Sequence, residues 1–429
     1  MVKGAKHSII LDLGSGRIYS ANPAAKNIME LGERGITVAE ALSQLGSEIK
    51  GADVTSFIED ASGQGLLTLS RVPKSQASEQ YAPMLDFLWI EVTSRCNLRC
   101  IHCYADAKAE SGQDRRTPDL SAEEIRKVIA EAASLGCQKI QFTGGEPTLR
   151  PDLEDLIGYA LDRGFKFVEV FTNGTLLTEN AVSFFSERGI NVALSVYCHR
   201  AKEHDAITGV PGSFERTLNS LKLLLAYEVP TRCAVIAMKQ NEEELEQTNY
   251  FLSKLGVLQR PPDPVRPSGR GINMEIWPEK YGLQSFRTRP SFLVNRETYS
   301  KNSRWNSCWY GKAAVTSLGE VLPCIFARDQ VAGNIRHQSL SEIIHDQGML
   351  DYWSLTKDRV EVCGDCEFRY VCEDCRPWAY GLTGNLHAKS PRCTYDPHHG
   401  EWSKAGAIPG QAPYCPANMD QDARHEQCP

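Results

Sequence analysis

The chain has 429 residues, too many for one ordinary core, and its net charge of -7 with a pI near 5.9 gives no basic field for a nucleic acid partner. It opens on no charged-then-apolar signal pattern, and no apolar run nears the roughly 20 residues of a membrane-spanning helix, so a cytoplasmic protein with no membrane partner is expected. Fifteen Cys in such a reducing compartment argue for metal or redox use over disulfides; ten fall in two spaced groups and five stand singly.

In chain order, His7 to Leu13, a Gly14-Ser15-Gly16 turn and Arg17 to Ser20 read as a hairpin. Helical patterns follow at Pro23 to Leu31, Val38 to Leu45 and Val54 to Ala61, and Leu66 to Leu69 reads as a closing strand. Residues 1–72 are therefore expected to form a small winged-helix-like domain. A DNA-binding winged helix would want Lys and Arg where Val38 to Ala61 is acidic or neutral. The element order, with the turn Asp12-Leu13-Gly14-Ser15-Gly16-Arg17 and the run Asn22-Pro23-Ala24-Ala25, resembles the leader-binding element of peptide-maturation systems, akin to the small chaperone of pyrroloquinoline quinone biosynthesis. That resemblance implies a precursor peptide as partner, its leader adding a strand to an open sheet edge.

Pro73 and Pro83 interrupt a polar stretch that suits a linker at 73–84. Strand and helix then alternate through six rounds over 85–280. Strands are expected at Phe87 to Val92, Lys139 to Phe142, Lys166 to Phe171, Asn191 to Val196, Arg232 to Ala237 and Asn273 to Trp277. Helices are expected between them, among them one opened by the capping box Ser121 to Glu124 before Ile125, Val128, Ile129 and Ala132. The fold class is α/β, a partial (β/α)6 TIM barrel whose chemistry belongs at the C-terminal ends of its strands.

Two motifs fall at such ends. After the first strand comes Cys96-x3-Cys100-x2-Cys103, three thiols in one short loop. Thiolates are soft ligands; an iron-sulfur cube normally takes four, so three leave one iron open, while a zinc knuckle is the competing reading. After the second strand comes Thr143-Gly144-Gly145-Glu146-Pro147, whose glycines permit close backbone approach and whose Glu146 offers an acceptor for an ammonium group. Together the two stretches resemble the radical S-adenosylmethionine (SAM) family. The resemblance implies a 4Fe-4S cluster on Cys96, Cys100 and Cys103 and a methionyl amine bound at Gly144, Gly145 and Glu146; His102 stands where the family usually has an aromatic residue. Asn173 and Ser195, at the third and fourth strand ends, are further cofactor-binding candidates. His204 and Asp205 are expected to shape their loop, and because many relatives carry Arg where this chain has Thr208, no SAM contact is transferred to it. Ser268-Gly269-Arg270-Gly271 resembles a family junction and is expected to be solvated linker.

From Cys308 the second group runs through Cys324, then Cys363-x2-Cys366-x5-Cys372-x2-Cys375, and ends at Cys393. Zinc ribbons also use paired C-x2-C motifs. The spacing resembles the SPASM extension of radical SAM peptide maturases, expected over 307–395 after a linker at 281–306. The resemblance implies one auxiliary 4Fe-4S cluster on Cys363, Cys366, Cys372 and Cys393, and another on Cys308, Cys324 and Cys375. The second set is one ligand short, since Ala313 and Ala314 stand where some relatives have Cys; an open iron, or Cys415 or Cys428 of the 396–429 tail, would complete it. Cys137, Cys198 and Cys233 are expected to pack in the core.

The expected function is a radical SAM oxidoreductase with three 4Fe-4S clusters and a reductant such as flavodoxin or ferredoxin. It would install a C-C, C-O or thioether cross-link in a ribosomally made peptide. Competing readings are a peptide epimerase, a sulfatase-maturing type enzyme, disfavoured because Ile325 stands where that type has an Asp base, and a non-enzymatic leader-binding or electron-transfer protein. Asp329 and Tyr310, near auxiliary ligands, are the candidates for a general base.

Overall fold

The computed structural model describes residues 1–45, 51–67, 83–109, 118–257, 261–280, 290, 294–373 and 375–403. Most of the first expected linker, part of the second, and the tail from 404 on with Cys415 and Cys428 lie outside them. Among the described residues no helix is long and apolar enough to cross a membrane.

At the N-terminus β1 (Val2–Lys3), β2 (Ser8–Leu11) and β3 (Ile18–Ala21) form an antiparallel sheet in that order. The turn between β2 and β3 is closed by Asp12, whose side chain accepts from the backbone of Gly14 at 2.9 Å and Ser15 at 3.2 Å. Three helices follow, α1 (Pro23–Glu33), α2 (Val38–Leu45) and α3 (Gly51–Gly63). Asn22 caps α1 by accepting from Ala25 N at 2.7 Å, with Pro23 in the first turn. Ile28, Leu31, Ala41, Leu45, Val54 and Ile58 close the helical core. The expected strand at Leu66 is absent in its described part. Leu66 N and Leu67 N both donate to Ala61 O, at 2.8 and 3.2 Å, so the chain curls at the end of α3 and both leucines pack inward.

The central region contains β4 (Phe87–Glu91), β5 (Arg95–Cys96), β6 (Lys108–Ala109), α4 (Ala122–Ser134), β7 (Lys139–Thr143), α5 (Leu153–Asp162), β8 (Phe167–Thr172), α6 (Glu179–Arg188) and β9 (Asn191–Ser195). It continues through α7 (Ala201–Thr208), α8 (Ser213–Ala226), β10 (Thr231–Ala234), β11 (Ile236–Ala237), α9 (Leu245–Lys254) and β12 (Asp263–Pro264). Strands β10, β9, β8, β7 and β4 are neighbours in that order and all parallel. Alternation assigns their faces: Leu88, Ile90, Ile140, Phe142, Val168 and Val170 are buried among the helices, while Trp89, Gln141, Thr143, Glu169 and Phe171 line the barrel interior. Each such apolar side chain contributes roughly 1.5–3 kcal/mol on burial. The Ser121 capping box forms as expected.

The sixth strand differs from expectation. Residues 273–277 carry a 3-10 turn, Met274–Ile276, because the Asn273 side chain accepts from Glu275 N at 3.0 Å and closes the chain locally. The place is taken by β12, which pairs in parallel with β11.

The C-terminal part is not a separate layer. It holds α10 (Arg296–Asn302), β13 (Lys312–Val315), β14 (Glu320–Leu322), β15 (Gly333–Asn334), α11 (Leu340–His345), α12 (Gln347–Trp353), α13 (Arg376–Thr383), β16 (Tyr395–Asp396) and β17 (Glu401–Trp402). β13 pairs in parallel with β4 and covers the open edge of the first barrel strand, and β14 and β15 extend the same sheet. Trp309, Leu322, Ile343 and Trp353 share one core with the barrel, so a boundary at 306 divides the sequence but not the packing.

His204 and Asp205 both brace their loop: His204 Nδ1 accepts from Tyr197 N at 3.3 Å. Asp205 accepts from Ser213 Oγ and Phe214 N, both at 2.8 Å, and from Gly212 N at 2.5 Å, while Thr208 Oγ1 meets Ser213 Oγ at 2.6 Å. Partial burial pushes the Asp205 carboxyl up, but the bonds from Phe214, Ser213 and Gly212 outweigh it and hold it below the usual carboxylate range. A depressed carboxylate contributes stability above its unfolded value near 3.8, and that contribution is lost as pH falls through the folded value. Asp205→Ala is expected to cost about 1 kcal/mol at pH 7. Melting curves of variant and parent should converge below pH 3.8.

Candidate active site

The three-thiol loop hangs between β4 and β6 and is held from two sides. Arg99 N and Ile101 N donate to Thr208 O and Ile207 O, at 2.8 and 3.0 Å. Opposite, Arg270 N donates to Cys103 O at 2.9 Å, and its side chain reaches Cys100 O at 2.9 Å, Asp106 at 2.7 Å and Ala107 O at 3.1 Å. A Cβ on Gly269, whose φ is +55°, would overlap the Tyr104 carbonyl oxygen. The Ser-Gly-Arg-Gly run is thus a clamp on the cysteine loop, where solvated linker was expected. Its legible signal was an arginine flanked by two glycines.

Backbone N–H groups point at the sulfurs: Leu98 N lies 3.4 Å from Cys96 Sγ and Ala107 N 3.4 Å from Cys103 Sγ. Burial pushes the Cys96 thiol up to about 12, the Leu98 N–H partly opposing it, and pushes Cys100 up further, with the neighbouring thiols adding. Bare thiolates are therefore disfavoured here. A cationic iron core would reverse that, and the donor set of three soft sulfurs around buried N–H groups fits a cluster. Among the described residues no three His, Cys, Asp or Glu side chains converge on a single metal ion.

The Gly144-Gly145 turn packs directly on this loop. Gly145 N and Glu146 N donate to Thr93 O and Arg95 O, both at 2.8 Å, and a Cβ on Gly144 or Gly145 would overlap one of those same carbonyl oxygens. The glycines serve loop-to-loop contact as well as the cavity, whose wall they join. The Glu146 side chain does not line that cavity. It is fully buried and accepts from Thr148 N at 3.1 Å, Thr148 Oγ1 at 2.6 Å, Thr172 Oγ1 at 2.5 Å and Asn173 N at 2.8 Å. As an ammonium acceptor Glu146 is therefore corrected to a brace joining β7 to β8; burial pushes its carboxyl up and those four bonds oppose it.

Asn173 and Ser195 both reach the cavity wall. The Asn173 amide, however, is spent on Asn97 at 2.9 Å and Thr175 at 2.6 and 2.8 Å beside Cys96, so it orients the cysteine loop. Tyr197, with Ser195 as its hydrogen-bond partner, packs edge-on against His102 with centroids 4.6 Å apart. Burial pushes His102 down to about 3, so it is neutral, and its buried Nδ1 has no partner among the described residues.

The cavity encloses about 1250 Å³ and runs from the three Cys through the barrel interior. That exceeds the 300–1,000 Å³ typical of one small ligand, leaving room for part of a second molecule. Its carboxylates are Glu169, paired with Arg232 at 2.8 Å, and Asp263, paired with Arg266. Neither was singled out from the sequence, because strand residues acquire an inward face only through sheet register. Tyr310 and Asp329 do not line the cavity. Tyr310 stacks on Trp305 at 4.6 Å and Asp329 is exposed, so the expectation of a base there is corrected: nearness in sequence to a thiol did not place them at the reacting centre.

In the second thiol group Cys324 lies near Cys375 and is pushed up to about 11, chiefly by burial; Cys366, near Cys363 and Cys372, reaches about 12 for the same reason. Cys308 is half-buried beside Lys301, and Cys393 is half-buried too. Ala313 and Ala314 sit buried in β13, where a ligand would be held in the sheet. Ile325 forms cavity wall, an apolar side chain that takes no proton. Cys137, Cys198 and Cys233 are buried, with Cys233 also reaching the cavity.

The barrel with its three-thiol loop and the C-terminal cysteines coincide with two family matches. Residues 90–252 match the radical SAM superfamily and residues 307–367 the SPASM iron-sulfur cluster-binding domain, which implies SAM and iron-sulfur clusters as cofactors. The chain is similar to the AdoMet-dependent heme synthase of Methanosarcina barkeri, 29% identical over 339 residues, covering 72% of this chain and 95% of the relative. It is similar also to the PqqA peptide cyclase of Granulibacter bethesdensis, 26% identical over 336 residues, covering 73% and 88%. The fold resembles Streptococcus suis SuiB, solved bound to precursor peptide SuiA, with a TM-score of 0.54 and 16% identity over 79% of this chain and 88% of that one.

Proposed function

We propose that the protein modifies a ribosomally synthesised precursor peptide, forming a side-chain cross-link by hydrogen abstraction, with one SAM-binding and two auxiliary 4Fe-4S clusters. The observation that carries the reading is the N-terminal module. Among the described residues its β3 is an edge strand with helices packed behind it, the form to which an extended leader adds by backbone hydrogen bonds. The module rests on the cysteine-rich part: Ala5 N donates to Asp365 O at 2.7 Å and Arg369 to Lys3 O at 2.6 Å, beside Cys366. The peptide cyclase relative and the peptide-bound SuiB point the same way.

Cys96, Cys100 and Cys103 would hold the SAM-binding cluster, which supplies a one-electron reductive cleavage of SAM to a hydrogen-abstracting radical. The chain's own contribution is to place and shield. Gly144 and Gly145 bring the turn against the cysteine loop, Tyr197 and His102 wall the cavity, and Trp89 and Phe171 keep its interior apolar. Asp263 and Glu169 are the carboxylates in position to take a proton from the substrate. Electrons are expected from a flavodoxin or ferredoxin.

A second reading, oxidation of a tetrapyrrole, is favoured by the heme synthase relative. Incubating the reduced enzyme and SAM with peptides encoded by neighbouring short reading frames separates the two. A peptide mass lower by two hydrogens per event supports the cross-link and an unchanged mass with inverted residues an epimerase, whereas turnover of an iron porphyrin alone overturns the peptide reading. Peptide stripped of its leader is expected to react at least about tenfold more slowly at limiting concentration, equivalent to about 1.4 kcal/mol of lost binding.

A further inference from the structure

Arg266 occupies an unusual position for a cation. It pairs with Asp263, and its guanidinium carbon stands 4.3 Å from the Phe326 ring centroid. It lines the cavity beside Ile325 and Phe326, the two residues after Cys324, and its guanidinium is a hydrogen-bond partner of the Cys375 thiol. One further donor is left over: Arg266 Nε is buried and has no acceptor among the described residues. Burying a donor unpaired is costly, more so for a charged group. The acceptor such a position is built for is sulfur, either a cluster sulfide or a ligating thiolate.

We infer that Arg266 sets the reduction potential of the auxiliary cluster assigned to Cys308, Cys324 and Cys375, holding it higher than those ligands alone would. The inference rests on the two auxiliary clusters of the proposed function and on the ligand set that the SPASM resemblance implies. Cluster potentials follow net charge, hydrogen bonds to sulfur and solvent exposure, and Arg266 acts on all three. Its positive charge favours the more negative, reduced form. Its N–H groups bond to sulfur, and its side chain with Phe326 separates the thiols from the cavity. Arginine suits the task better than lysine, since it cannot shed its proton when desolvated. Asp263 offsets part of the charge and is the opposing control. Placed between the cavity and the cluster, Arg266 would make this cluster an electron acceptor for the chemistry in the cavity.

The test is an EPR-monitored redox titration of the full chain, reconstituted anaerobically with iron and sulfide, on a background in which Cys96, Cys100 and Cys103 are all Ala so that only auxiliary signals remain. Arg266→Gln is expected to lower the reduced-to-oxidised ratio at the parent midpoint about tenfold, a downward shift of about 59 mV for one electron. Arg266→Lys, which keeps the charge, should shift it less, and Asp263→Asn should move it upward. An unshifted midpoint in Arg266→Gln with full iron content overturns the assignment. If that variant fails to hold iron, Asp263→Asn decides: an upward shift supports the inference and an unchanged or lower midpoint overturns it. A parent chain with no auxiliary signal removes both this inference and the cluster reading beneath it, whereas an unshifted signal removes Arg266 alone.

Discussion

Cys100→Ala, purified anaerobically and supplied with iron, sulfide, SAM and reductant, is expected to release no 5'-deoxyadenosine above background. The loss should be at least about a thousandfold, since enzymatic rate enhancements typically start near a millionfold and the cluster carries the hard step. Burial pushes the Cys100 thiol up, and its carbonyl is gripped by Arg270. Cys137→Ala is the matched control. Cys137 is also buried, but in the helix-facing core beside β7, where its thiol bonds to Lys139 O at 3.4 Å. It should cost about 1 kcal/mol of stability and leave SAM cleavage intact. Liquid chromatography of the reaction and a thermal melt of each variant check both halves.

The second large effect is expected from a single methyl group. In Gly145→Ala the new Cβ would overlap the Arg95 carbonyl oxygen and press on Arg95 C, 2.5 Å away, and on Cys96 N, 3.1 Å away, so backbone and not a flexible side chain must move. Overpacking of this kind costs about 1–3 kcal/mol, and the two bonds to Thr93 O and Arg95 O put at risk add about 0.5–1.5 kcal/mol each. Because the strain falls on the peptide that carries Cys96, SAM cleavage should drop at least about tenfold beyond any loss of folded protein. Gly158→Ala offers the contrast. It lies within α5 with nothing within 4 Å of its Cβ, and removing a helical glycine should stabilise by about 1 kcal/mol. Iron content per folded chain, measured beside the melting temperature, separates loss of the cluster from loss of the fold.

The strands of the barrel were legible because each is a short buried apolar run ending in a turn or a chemistry-bearing loop, and the three thiols because their spacing is confined to one loop. Glu146 shows where such reading stops. A buried carboxylate at a strand end suits a ligand's ammonium and a brace for Thr148, Thr172 and Asn173 equally well, and only the paths of β7 and β8 bring those partners to it. Arg270 makes the same point, since its grip on Cys100 spans 170 residues of chain. The sixth strand failed for a local reason, the Asn273 cap, that outweighs a modest apolar pattern.

The sequence alone determined the chemistry at hand: soft sulfur ligands in two groups, glycines where backbones meet, and an α/β alternation that puts loops at one rim. These follow from local spacing and from the side chains' own preferences. Tertiary structure decided which polar groups face the cavity, that β13 closes the open edge of β4, and that Glu169, Arg232, Asp263 and Arg266 line the interior while Tyr310 and Asp329 do not. Facing depends on strand register and on contacts between residues far apart in the chain, and neither is encoded in any short stretch of sequence.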